Sequence, residues 1–154
     1  MIGKLDPDDV RFFSGQSHPE LATQIADYLC ISADPTFFGR YSNDNMYIQL
    51  GASVRGRSVY ILQSMVKPVS DHLLELLMML DIAHGAGARE VHAIIPYYSY
   101  ARSDKKDAPR ISITARLIAD MCRGRPTGID AAPYVPKRLA RQGVTPGGAS
   151  NDPR

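Results

Sequence analysis

The chain reads as an α/β domain: a mainly parallel sheet flanked by helices, with one small hairpin beside it. Three observations predict this class. Short strand-like runs (VRFFS, SVYILQ, EVHAIIP) alternate with stretches of helical length, the order that builds parallel sheets through right-handed crossovers. The run Ser58–Gln63 is apolar enough for a central strand buried on both faces. Gly, Pro, Asn and Asp collect between the runs, where turns need them. At 154 residues the chain has room for one such domain and a tail.

Met1–Asp9 is polar and acidic and reads as a flexible arm. Val10–Ser14 is a first strand, ended by Gly15-Gln16. Ser17 or His18 caps a helix over Pro19–Cys30, with Leu21, Ile25 and Leu29 on one face. Asp34-Pro35 breaks it. Thr36–Tyr41 and Met46–Leu50 form a hairpin through Ser42-Asn43-Asp44-Asn45. Gly51–Arg57 is a second turn before the central strand. Past Pro68 the spacing predicts a helix over Ser70–Ala86, capped by Ser70-Asp71 and stopped by Gly85 and Gly87. Leu73, Leu74, Leu77, Leu80 and Ile82 dominate it, and the run Leu76–Leu80 is broader than one core stripe needs. Glu90–Pro96 is the next parallel strand. The last helix is predicted over Ile111–Met121, with Ile113, Leu117, Ile118 and Met121 as its stripe.

From Cys122 the pattern collapses. Cys122–Arg154 holds 5 of the 11 prolines and 5 of the 12 glycines, too little apolar surface to offset the entropy of ordering. A disordered tail is expected there. Charge divides at the same point. Residues 1–121 carry 12 Lys/Arg against 14 Asp/Glu, and residues 122–154 carry 6 against 2. The mildly acidic body argues against a nucleic-acid partner. No apolar run approaches the roughly 20 residues needed to cross a bilayer, and no secretory leader opens the chain. A cytoplasmic protein with no membrane partner is expected. The two cysteines form neither a disulfide framework nor a metal spacing. Cys30 is expected to pack at a helix end. His18 belongs to a helix start, His72 and His84 to the surface, and His92 to a hydrogen-bonded strand; no pair has metal-ligand spacing, and no metal ligands are assigned.

The richest chemistry lies in His92–Met121: a strand tail, a cation-dense loop, then a helix. Arg102, Lys105, Lys106 and Arg110 interleave there with Asp104 and Asp107. Ligands of open parallel sheets sit beyond the carboxyl ends of the strands. Arg forks onto phosphate oxygens and Lys acts as a mobile charge, so the cluster suits a polyphosphate. The acids can separate the cations or meet a phosphate-bound metal. A solvated, charge-balanced loop would read the same way.

The segments FFSGQSHPELATQIADYL, YSNDN, SVRGRSVYILQS and DHLLELLMMLDIAHGAGAREVHAIIPYYSYARSDKKDAPRISITARLIADM together resemble the N-terminal domain of ribose-phosphate pyrophosphokinase (phosphoribosyl pyrophosphate synthetase). The likeness spans roughly Val10–Met121. It implies a phosphoribosyltransferase-like fold. For the whole enzyme it implies transfer of diphosphate from Mg-ATP to ribose 5-phosphate, giving phosphoribosyl diphosphate and AMP for nucleotide biosynthesis. It also implies homo-oligomers, often hexamers, with ATP held between subunits and magnesium arriving with it. By the same resemblance Arg102, Ser103 and Asp107 fall on ATP-site positions. Tyr41, Asn43, Asp44 and Asn45 fall in the hairpin that a neighbouring subunit folds over the adenine. Ser53 and Arg55, with Lys106 and Arg110, fall where some members bind regulatory phosphate or ADP. Ser-Val-Arg-Gly reads equally as a structural turn.

Three departures stand out. Many members carry Gln at the position of Ser103, and the shorter Ser reaches a nucleotide through water. Many carry an acid at the position of Asn45, which keeps an acceptor but loses charge. After Met121 the family's metal–nucleotide His, catalytic Lys/Arg loop and ribose-phosphate loop have no counterpart, so no catalytic residue is identifiable. The shift to Arg, Gly, Pro and Ala resembles out-of-frame reading of a GC-rich gene. The sequence therefore reads as the ATP-side piece of a pyrophosphokinase, inactive alone. The alternatives are a non-catalytic subunit that joins full-length enzyme, or a damaged gene product.

Overall fold

Parallel pairing organises the molecule. A computed structural model describes residues 9–124. Strand β4 (Ser58–Leu62) lies between β1 (Val10–Ser14) and β5 (Glu90–Ile94), both parallel to it. Val10, Ser58 and Glu90 pair across one end of the sheet, and Ser14, Leu62 and Ile94 across the other. The carboxyl ends therefore finish level. Hydrogen bonds from Gly15 N–H to Leu62 O and from Gln63 N–H to Ile94 O carry the alignment one residue past the strands.

Alternation sends neighbouring residues to opposite faces. Phe13, Val59, Ile61, Val91 and Ala93 join Leu76, Met79, Leu80 and Ala83 of α2 (Val69–Gly85) in the main core, with Ile118 and Cys122 of α3 (Thr114–Arg123). Phe12 and Leu62 pack on the other face against Ala22 and Ala26 of α1 (Pro19–Leu29). Each such large apolar side chain contributes about 1.5–3 kcal/mol by burial. His92 shares the α1 face, stacked on Tyr60 with ring centres 4.8 Å apart and Nε2 3.3 Å from Glu90 Oε2.

The hairpin stands outside the parallel sheet as a separate antiparallel pair, β2 (Thr36–Arg40) and β3 (Met46–Leu50). Ile48 is buried in the main core, and Phe38 and Leu50 pack against that core. The hairpin is thus anchored in the core by one face, with its tip exposed.

Several sequence expectations change at the ends of elements. The cap of α1 is as expected, His18 of the two candidates, whose Nδ1 accepts from Leu21 N–H at 3.2 Å; the others differ. Cys30 does not pack. It is exposed in the left-handed C-cap position, φ +53°, where its backbone N–H serves Ala26 and Asp27 carbonyls. Helix α2 begins at Val69 after Pro68 with no side-chain cap, so Ser70-Asp71 does not fill that role. Its buried face is His72, Glu75, Leu76, Met79, Leu80 and Ala83, while Leu74 is exposed. His72 is buried rather than on the surface because its Nδ1 finds Val66 O at 2.9 Å. Both ring nitrogens of His84 are buried without a partner among the described residues. Helix α3 starts three residues later than predicted, since Arg110 at φ +64° keeps the chain non-helical after Pro109.

At the two ends, Asp9 accepts two hydrogen bonds from the Arg89 guanidinium, at 2.9 and 2.6 Å. Those bonds hold its carboxyl below the ordinary value. Cys122, grouped with the tail on sequence, is a core residue of α3, and burial pushes its thiol up to about 11. The remainder of the expected arm and tail, residues 1–8 and 125–154, lies outside the described residues.

Two outcomes follow. In the native chain a water-soluble disulfide reagent labels Cys30 within the mixing phase and Cys122 only after denaturant is added. Equal labelling of both thiols without denaturant would show that α3 does not cover Cys122. Gly15→Ala should lower the stability measured by urea unfolding by about 1–3 kcal/mol through overpacking, because an added Cβ would sit 2.3 Å from Gln63 Oε1. An unchanged midpoint would contradict that close approach.

Candidate functional site

Three structures carry the candidate residues, two at the carboxyl rim of the sheet and one on the separate hairpin. The first is the turn Gly15–Ser17 after β1, built on side chains that the apolar pattern of the sequence hides. Gln63, the first residue after β4, is fully buried, and its Oε1 accepts from Ser17 N–H at 3.2 Å. Its Nε2 donates to Glu75 Oε2 at 2.6 Å and to His72 O at 3.2 Å. Glu75 Oε2 also accepts from Gln16 N–H at 3.2 Å, and Ser17 Oγ accepts from Ser64 N–H at 2.8 Å. Buried polar groups persist only when paired, and here the pairing welds β1, β4 and α2 together at the rim. Sequence reasoning missed this cluster. Its signal was two polar residues inside apolar runs: Gln63 ending SVYILQ, and Glu75 amid leucines.

The second is the segment after β5. Instead of running on as a strand to Pro96, the chain leaves β5 at Ile94 and forms a short 3-10 turn, Ser99–Arg102. Arg102 ends that turn, exposed. Ser103, half-buried, is fixed on both sides: its N–H donates to Tyr100 O at 2.9 Å and its O accepts from Ala115 N–H at 3.2 Å. Tyr98 Oη donates to Ala115 O at 2.6 Å, and burial pushes that phenol's pKa well up. The start of the loop is therefore rigidly docked on α3. Beyond it Lys105, Lys106, Asp107 and Arg110 are all exposed. Lys105 Nζ and Asp107 Oδ1 are 3.8 Å apart, and among the described residues Arg102, Lys106 and Arg110 form no ion pair. The turn thus offers three uncommitted cations.

The third is the hairpin tip. Tyr41 N–H donates to Asn45 O and Asp44 N–H to Tyr41 O, each at 2.9 Å. Asn43 Oδ1 accepts from Asn45 N–H at 3.3 Å, and Asp44 adopts φ +67°, a conformation Asp tolerates. Asp44 Oδ1 is committed to Arg40 Nη1 at 2.9 Å, and Arg40 Nη2 reaches Asp71 Oδ2 on α2 at 2.5 Å. The bonds donated to Asp44 and then to Asp71 hold the guanidinium above its ordinary pKa. Arg40 therefore ties tip to helix. Tyr41 is 59% exposed and meets Tyr47 edge-on at 6.0 Å, so a flat aromatic face remains open.

Within one copy these pieces do not converge. A cleft of about 190 Å³ between the hairpin and α2 is lined by Gln16, Phe38, Gly39, Arg40, Met46, Tyr47, Ile48 and Glu75. A second, of about 140 Å³, lies near Arg11 and Asp34. Neither is lined by Tyr41, Asn43, Asn45, Arg102, Ser103 or Asp107. Ser53 and Arg55 sit in the turn that precedes β4, at the amino end of the sheet. Ser53 O accepts from Arg11 Nε at 3.2 Å, and Gly56 N–H from the same turn donates to Gly87 O at 2.8 Å. Lys106 and Arg110 follow β5, at the opposite rim. Among the described residues no group of three or more His, Cys, Asp or Glu could hold a metal, and no helix is long and apolar enough to cross a membrane.

Comparison with known proteins agrees with this architecture. The family described as the N-terminal domain of ribose phosphate pyrophosphokinase matches residues 10–124. A Streptomyces coelicolor protein described as a ribose-phosphate pyrophosphokinase is 50% identical over 113 residues, covering 73% of this chain and 36% of the relative. The ribose-phosphate pyrophosphokinase of Parasynechococcus marenigrum is 46% identical over 120 residues, covering 77% and 36%. The crystal structure of phosphoribosylpyrophosphate synthetase from Mycobacterium smegmatis superposes with a TM-score of 0.71 at 37% identity, over 74% of this chain and 38% of that one. The chain thus spans little more than a third of the length of the relatives it matches. The matched residues take in the level-ended sheet, its rim turns and the hairpin, and by these residues the chain belongs to the family of ribose-phosphate pyrophosphokinase N-terminal domains.

Proposed function

We propose that this chain is the nucleotide-side half of a ribose-phosphate diphosphokinase and binds Mg-ATP between two copies. The carrying observation is the docked turn ending in Arg102, with three exposed cations that form no ion pair among the described residues, beyond the carboxyl end of β5. In this reading Arg102 neutralises charge on the transferring phosphates, and Ser103 and Asp107 meet them directly or through water. The hairpin of the adjoining copy brings Tyr41 over the purine, with Asn43 and Asn45 on its polar edge. In this reading Lys106 and Arg110 of the same loop would receive a regulatory phosphate, with Ser53 and Arg55 supplied by another copy.

Magnesium enters this reading on the phosphates. With no cluster of three protein ligands among the described residues, the site fits an ion that keeps its waters and takes one carboxylate, Asp107 or Asp104. It would supply charge neutralisation there. Transfer itself requires donors around the whole group. In this reading the described residues supply donors on the nucleotide side, and the match takes in 36% of a relative's length. A non-catalytic subunit that joins full-length enzyme in the cytoplasm is the second reading, and the exposed Tyr41, which lines no cleft with Arg102, favours it.

Isothermal titration of Mg-ATP into the full chain tests the first reading. Arg102→Ala is expected to weaken binding about 10- to 100-fold, the range for one charge-assisted hydrogen bond or two, with an unchanged thermal midpoint. Wild-type and variant chains that bind ATP equally, or not at all, would end it. For the second reading, co-expression with a full-length relative should yield mixed oligomers on sizing chromatography while the chain alone releases no AMP from ATP and ribose 5-phosphate. Separate elution of the two proteins would count against it.

A further inference from the structure

Glu75 is out of place in its helix. It stands among leucines and methionines at 4% exposure, and a carboxylate so placed needs hydrogen-bond donors. Oε2 has two, from Gln63 Nε2 and the Gln16 backbone. Oε1 accepts no hydrogen bond from any described residue. Glu75 also lines the cleft of about 190 Å³ under the hairpin, and Oε1, which is not among the buried unpartnered atoms, is the carboxylate oxygen left with unused acceptor capacity.

The surroundings define what could use it. Arg40 is the only cation among the lining residues, and its guanidinium is already shared by Asp44 and Asp71. The balance of these four groups is net negative. Phe38, Met46 and Tyr47 supply aromatic and thioether surface along the walls. Such walls suit an alkyl stem and attract a cation over a ring, and an ammonium or guanidinium forms short, strong bonds to a carboxylate. Phosphate would be repelled.

We propose that this cleft binds an alkylammonium or guanidinium group, with Glu75 Oε1 as its acceptor. The group belongs either to a free small amine or to a Lys or Arg side chain of a second copy. None of the residues assigned to the nucleotide lines the cleft, and the proposal does not depend on ATP binding.

Agmatine, which carries both kinds of cation, is the probe. It is titrated calorimetrically into the full chain and into two variants. Glu75→Gln removes the charge at constant shape. Gln16→Lys leaves the backbone bond to Glu75 intact and places its own ammonium at the cleft. Saturable binding to the wild type, weakened about ten-fold or more in both variants, is expected, with the thermal midpoint of Gln16→Lys unchanged. Sedimentation equilibrium then separates the sources. If a second copy supplies the cation, the wild type self-associates, and agmatine or Gln16→Lys disperses it. If a free amine does, agmatine binds without altering the association state. Binding that both variants retain, or no binding together with association insensitive to both, overturns the proposal.

Discussion

Ser14, Leu62 and Ile94 end their strands side by side because β1, β4 and β5 pair in parallel and in step, and the candidate residues at the carboxyl rim depend on that alignment. Parallel pairing leaves each strand's following segment at the same rim, the place where open α/β sheets expose backbone and side chains to ligands. Gly15–Ser17, Gln63-Ser64 and the turn ending at Arg102 are thereby gathered from positions some 90 residues apart in sequence. A one-residue slip of β4 would reverse its faces, turning Val59 and Ile61 out of the main core and carrying Gln63 away from Ser17.

The rim needs a second fastening, because strands alone do not fix the loops beyond them. Gln63 and Glu75 provide it. A fully buried amide and a nearly buried carboxylate are costly unless paired, and their hydrogen bonds reach the Gln16 and Ser17 amides and the His72 carbonyl. An apolar pair of similar shape would pack but could not specify where the turn after β1 sits. The network thus converts a burial cost into positional definition. That link is local to this cluster and carries no general rule about buried polar groups.

How much of this was legible in the sequence follows from which forces leave periodic traces. The fold class, the buried central strand and the hairpin were readable because alternation and turn residues write them directly. The buried face of α2 was not. Val69–Gly85 is apolar nearly all round, so several stripes were compatible with the pattern, and Leu74 proved exposed while His72 proved buried. The end of α3 was lost for a related reason: proline and glycine density after Cys122 outweighed one more buried thiol. Arg102 and its neighbours were legible as a charge cluster after a strand. Gln63 and Glu75 were not, since a single polar residue in an apolar run looks the same whether it is a surface position or the centre of a buried network.

The separation between hairpin and cationic turn has a physical consequence for the nucleotide reading. Tyr41 is held by the Arg40 bridge to Asp71 and by a hairpin whose base is sunk in the core. Arg102 is held by a turn docked on α3 through Ser103 and Tyr98. Both are rigidly placed, and neither of the two clefts is lined by either residue. Closing a single copy around one nucleotide would mean breaking the hairpin's seat or the turn's docking, each a set of buried contacts. On the proposed function association of two copies would need neither: it would bring an open aromatic face of one to the cations of the other at the cost of rigid-body freedom, side-chain ordering and desolvation at the new contact. On the proposed function, oligomerisation is therefore the cheaper route to a complete site, because it leaves in place the seats of the exposed Tyr41 and of Arg102, which forms no ion pair among the described residues.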